Sequence, residues 1–117
     1  MIAAWDGSIE ILETLVEAGA NVNAKHPLLQ MTALMEAVNV PESVAFLIKN
    51  GADVNAASSV GNTALMEAAI YNKIDSARLL VQAGADVNAT NSRGKTAYDL
   101  AVENGSVEIY HFLDSLK

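Results

Sequence analysis

A chain of 117 residues with 51% hydrophobic residues can build one domain's core and needs no second domain. The absence of cysteine excludes disulfide frameworks, cysteine zinc sites and thiol nucleophiles, and a net charge of −7 with seven scattered Lys and Arg argues against nucleic acid and anionic membranes as partners. No apolar run approaches the roughly 18 residues of a membrane span, and the opening MIAAWD lacks a signal-peptide pattern, so a cytoplasmic location is the expectation.

Along the chain, residues 19–24 read GANVNA, and GADVNA then occurs at 51–56 and again 33 residues later at 84–89. A second phrase keeps step: TALMEA begins at Thr32 and Thr63, and TAYDLA at Thr96. Recurrence near 33 residues is the mark of a stacked repeat array, whose function lies on a continuous surface rather than in one pocket. The recurrence divides the chain into 1–24, two whole units at 25–56 and 57–89, and 90–117.

The unit at 57–89 is the most regular. Its turn formers at 58–62, with Gly61 free to take positive φ, predict the tip of a hairpin-like finger. Thr63 is placed to cap a helix over 64–71, Asn72 and Lys73 break it, and Ile74, Ala77, Leu80 and Val81 give the apolar stripe of a second helix over 74–83. Gly84 ends that helix as a left-handed cap. Helices this short are marginal alone, so stacked copies must share a core. Asp86 and Asn88 are suited to bonding nearby backbone as Asx residues. In the last unit Thr96 and Asp99 have capping-box spacing.

The unit at 25–56 departs from this pattern twice. Its finger, KHPLLQM at 25–31, is one residue longer than its counterparts, lacks their glycine and carries Leu28, Leu29 and Met31. Val38 to Pro41 is two residues shorter than Ala69 to Ile74, so the first helix or the turn after it is trimmed, with Pro41 suited to opening the second helix. The apolar finger either exposes an interaction patch or folds Leu28 or Leu29 back onto Leu34 or the adjacent finger.

The phrases GADVNA at 84–89 and TALMEAA at 63–69 resemble the ankyrin repeat, and the resemblance runs in phase over essentially the whole chain. It implies an all-α solenoid of helix-turn-helix units joined by hairpin-like fingers, in one domain over 1–117, with 1–24 resembling the later part of a unit and 90–117 a C-terminal unit that stops after its second helix. It further implies a concave protein-binding groove lined by fingers and first helices. The groove positions fall on Trp5 and Asp6; on Leu28, Leu29 and Met31; on Ser59, Val60, Asn62, Ile70 and Tyr71; and on Ser92, Arg93, Lys95, Glu103 and Asn104. Trp5 and Tyr71 are the expected aromatic anchors, although Trp5 also suits a role in covering an exposed end of the core. Asp6, Glu36, Glu67 and Glu103 would give the groove an acidic cast, which favours a neutral or basic partner surface.

Catalytic patterns are weak. His26 and His111 lie far apart in the array without ligand spacing, Glu36 and Glu67 recur because the unit recurs, and Gly61 and Gly94 are single turn glycines with no phosphate-loop signature. No enzyme activity, metal or cofactor is expected. The reading is a protein–protein interaction module acting as an inhibitor or adaptor; the alternative is a structural fragment or subunit of a longer ankyrin array. Met1 and Ile2 stand where the family places mid-helix residues, so self-association through that end is a further expectation.

Overall fold

In the three units from residue 25 onward the first helix starts at a threonine whose hydroxyl takes up an otherwise orphaned backbone N–H. In the computed structural model, which describes residues 23, 25 and 30–116, Thr32, Thr63 and Thr96 accept from the N–H of Met35, Met66 and Asp99 at 3.4, 3.3 and 3.2 Å. Asp99 returns the favour, its Oδ2 accepting from the Thr96 N–H at 3.0 Å, as the capping-box spacing predicts. At the equivalent position the Met66 thioether accepts from the Thr63 N–H at 3.4 Å, a weaker acceptor in the same role.

These caps open α1 (Ala33–Glu36), α3 (Ala64–Tyr71) and α5 (Ala97–Glu103), which alternate with α2 (Pro41–Lys49), α4 (Ile74–Gln82) and α6 (Val107–Ser115). The bounds of α3 match the sequence reading, and α4 stops one residue earlier than expected, at Gln82, before Gly84 turns the chain at φ +99°. Pro41 is the first residue of α2, where its missing N–H leaves no bond unmade. The shortening falls on α1, which spans four residues where α3 spans eight, while the connection to the second helix lengthens from two residues to four, a net loss of two.

The first helices α1, α3 and α5 stack side by side, and α2, α4 and α6 form a second layer behind them. The shared core lies between: Leu34, Leu65 and Leu100 from the first layer meet Leu47, Leu80 and Leu113 from the second, all buried. Ala68 and Ala69 are fully buried where α3 packs against α1 on one side and α5 on the other, as their small size allows. Among the described residues all regular structure is helical, and the extended backbone is limited to one isolated bridge between Lys25 and Thr32.

Polar staples hold successive helix pairs in register. Ser76 Oγ donates to the Val38 carbonyl and Ser106 Oγ to the Ala69 carbonyl, both buried and both at 2.6 Å. Val38 and Ala69 each stand six residues after their threonine, at the end of a first helix where carbonyls lack an intrahelical donor. On the finger side, Asn23 Nδ2 donates to the Gly51 carbonyl at 3.1 Å while its Oδ1 accepts from the Asp53 N–H at 2.7 Å. Asn55 repeats both bonds one unit on, to Gly84 at 3.3 Å and Asp86 at 2.7 Å. The local Asx bonds are present too, with Asp53 and Asp86 accepting from the N–H of Asn55 and Asn88 at 2.9 Å. The recurring GADVNA is therefore both a turn and the joint to the next unit.

Candidate functional site

The loss of residues after α1 leaves room at the end of that helix. A cleft of about 360 Å³ opens there, lined by Met31, Met35, Glu36, Val38, Asn39, Glu67 and Tyr71. Glu36 and Glu67 stand four residues after Thr32 and Thr63, so adjacent units place a carboxylate at matching heights on neighbouring helices. Met31 packs partly against the core from the finger side, and Tyr71, 59% exposed, stands at the end of α3.

Glu67 is only 8% exposed. Its Oε1 accepts from Asn62 Nδ2 at 3.4 Å, and Asn62 Oδ1 in turn accepts from Asn91 Nδ2 at 2.9 Å, so a buried relay runs from α3 through its own finger into the next. Burial pushes the Glu67 carboxyl above the usual carboxylate range, and the Asn62 amide pulls it back by less. Asn91 Oδ1 also accepts from the N–H of Arg93 and Lys95, at 2.9 and 3.1 Å, which fixes the shape of the last finger.

Along the same face the finger tips come together. The Ser92 N–H donates to the Val60 carbonyl at 3.0 Å, and Ser59, Val60, Ser92 and Arg93 are all exposed, Val60 at 53%. Gly61 permits this approach: a Cβ there would lie 2.9 Å from the Ser92 nitrogen. Ile70 is half-buried against the core. Lys95 and Glu103 form an ion pair at 3.2 Å, and Asn104 Nδ2 donates to the Leu100 carbonyl at 2.8 Å. Asn62, expected as a groove contact, is 9% exposed with its amide spent on Glu67 and Asn91. Trp5, Asp6, Leu28 and Leu29 lie outside the described residues.

Sequence reading missed Met35, Val38 and Asn39 as cleft residues. The signal for them was the shortening between Val38 and Pro41, which removes the turn of helix that Ile70 and Tyr71 supply in α3. A second cleft, of about 530 Å³, lies beyond α5 and is lined by Val87, Asn88, Thr96, Tyr98, Asp99, Leu113 and Leu116. His111 is exposed on α6, its ring 5.0 Å from that of Tyr110. No cluster of three or more His, Asp or Glu suited to a metal occurs among the described residues, and no helix there is long and apolar enough to cross a membrane.

Comparison with curated proteins finds no match. The family model for ankyrin repeats, described as three copies, matches residues 1–91 and 61–115. With capped helix pairs stacked in two layers and this match spanning nearly the whole sequence, the chain belongs to the ankyrin-repeat family, whose members are generally protein–protein interaction modules.

Proposed function

We propose that this chain binds a protein partner through the face formed by its finger tips and first helices, and that it acts as an inhibitor or adaptor by occupying the partner's surface. The observation that carries this reading is the exposed aromatic Tyr71 beside a cleft, on the same face as the exposed Val60 and Ser92 tips. Large amphipathic rings next to concave apolar surface contribute much of the energy of protein interfaces. The contact set is Tyr71, Met31, Ser59, Val60, Ile70, Ser92 and Arg93, with the Lys95–Glu103 pair at its rim and the expected Trp5, Asp6, Leu28, Leu29 and Asn104 as further members. A partner with a neutral or basic surface suits the net charge of −7.

The test is quantitative affinity capture from the native host, with the unaltered chain and with a Tyr71→Ser, Val60→Ser variant compared side by side. A partner held by the first and lost by at least about tenfold with the second supports the reading, since that is the scale of an interface hot spot. Equal retention by both chains overturns it.

A second reading, a spacing role within a longer ankyrin array, draws support from Asn88. It carries the same amide as Asn23 and Asn55, each of which reaches the following unit, yet its side chain bonds to no described residue. Leu116, an exposed apolar residue, borders the same cleft beyond α5. Docking of a further ankyrin unit would use both.

A further inference from the structure

We propose that the cleft between α1 and α3 is a receptor for an arginine side chain of a protein partner, with Glu67 as the counter-charge and Met31, Met35 and Tyr71 as its walls. This deepens the interaction reading above and rests on it, but it concerns one pocket rather than the whole face.

Glu67 carries the argument. It is more than nine-tenths buried, yet only its Oε1 is engaged, by a single 3.4 Å contact from the Asn62 amide. Its Oε2 accepts from no described residue. The described ion pairs, Arg78 with Asp75 and Lys95 with Glu103, involve other carboxylates, so no cation of the described chain answers Glu67. A carboxylate this buried and held by a single weak donor is a costly group, and an incoming cation relieves that cost more than it would at an exposed acid. Glu36, at the matching position on α1, lines the same cleft and adds negative potential.

The walls narrow the chemistry further. Two thioethers and an aromatic ring accept an aliphatic stem and a flat cation, and poorly suit a hydrated ion. Divalent hard cations call for six or more oxygens, which two carboxylates do not provide. An apolar side chain would seal Glu67 away from water without a partner, so the occupant must bring positive charge. Guanidinium is less strongly hydrated than ammonium, stacks on aromatic faces and offers several donors in one plane, which favours arginine over lysine.

The experiment uses the full chain with 13C-methyl methionine. Met31 and Met35 report on the cleft, while Met66, buried in the core, reports on the fold. N-acetyl-arginine amide is titrated in, alongside N-acetyl-citrulline amide, an uncharged isostere, and N-acetyl-norleucine amide, an apolar probe. Saturable shifts of the Met31 and Met35 methyls with the arginine probe alone, at millimolar affinity, and a fivefold or greater weakening in Glu67→Gln with Met66 unmoved, are expected. Equal response to citrulline or norleucine, shifts that never saturate, or an unchanged affinity in Glu67→Gln would overturn the assignment. If the arginine probe fails while a captured partner still depends on Tyr71, the cleft proposal falls and the interaction-module reading stands.

Discussion

The helix pair α1–α2 and the pair α3–α4 are built on one plan, and they differ only where the plan allows it. Both second helices span nine residues, both bury an equivalent leucine, Leu47 and Leu80, and both bury an equivalent serine, Ser43 and Ser76. The first helices differ twofold in length, four residues against eight. The deletion was absorbed after Val38, where exposed Asn39 borders a cleft, while Ala33, Leu34 and Met35 in α1 and Ala37 and Val38 just after it stay buried. A stacked array thus keeps the residues that join neighbours and varies those that face outward.

The strongest way to break this comparison is to cut the core in each pair. Leu80→Ala and Leu47→Ala each remove a buried side chain that no neighbour can replace, and each should cost about 2–5 kcal/mol in urea unfolding. Because the two layers share one core, the two losses should be of similar size and each unfolding curve should stay a single transition. A Leu47 variant that loses much less than its Leu80 counterpart, or unfolds in two steps, would mean that the shortened pair is only loosely coupled to its neighbour.

The fingers give the next contrast. Gly61 sits at φ +80° and Gly94 at +73°, two residues before their threonines, and in the remodelled finger that place is taken by Gln30 at φ +57°. The conformation survives the loss of the glycine, at the strain cost of a left-handed non-glycine residue. Gly61→Ala adds that strain, about 1–2 kcal/mol, to a Cβ placed 2.9 Å from the Ser92 nitrogen, and should destabilise the chain by about 2 kcal/mol. Gln30→Gly relieves strain but frees the unfolded chain, and should stabilise by no more than about 0.5–1 kcal/mol. Matched thermal melts that gave both variants the same sign would show that the two fingers are not conformational equivalents.

Much of this architecture was legible because it is local. Thr63, Thr96 with Asp99, Pro41 and Gly84 act within a turn of their own positions, and each does in the structure what its residue type and neighbours imply. The reach of Asn55 was not legible: spacing shows an Asx turn, but its partners on Gly84 and Asp86 lie a whole unit away. The burial of Asn62 was not legible for the same reason, since it is set by Glu67 and by Asn91 of the next finger. The cleft was hidden because a deletion in sequence does not reveal which end of a helix yields. Asn55 also offers a direct test. Asn55→Ala deletes two inter-unit bonds and should cost about 1–2 kcal/mol, whereas Asn88→Ala, whose amide bonds to no described residue, should change stability by less than about 0.5 kcal/mol.

Glu36 and Glu67 carry the comparison into electrostatics, because the same residue at the same repeat position is half-buried in one pair and nearly fully buried in the other. Burial raises the folded-state pKa of Glu67 above its unfolded value near 4.5, so the folded chain holds this proton longer than the unfolded chain does. Below pH 4.5 the carboxyl is protonated in both states and its contribution is fully present; as pH rises through the folded-state value that contribution is lost. Glutamine at this position keeps an acceptor for Asn62 and removes the titration. Glu67→Gln should therefore raise stability at pH 7 by about 1 kcal/mol, the scale of one relieved buried polar group, and have little effect at pH 4. Denaturant melts of Glu67→Gln and the unaltered chain at both pH values decide it, and a Glu67→Gln gain that is equal at pH 4 and pH 7 would trace the effect to packing instead of charge.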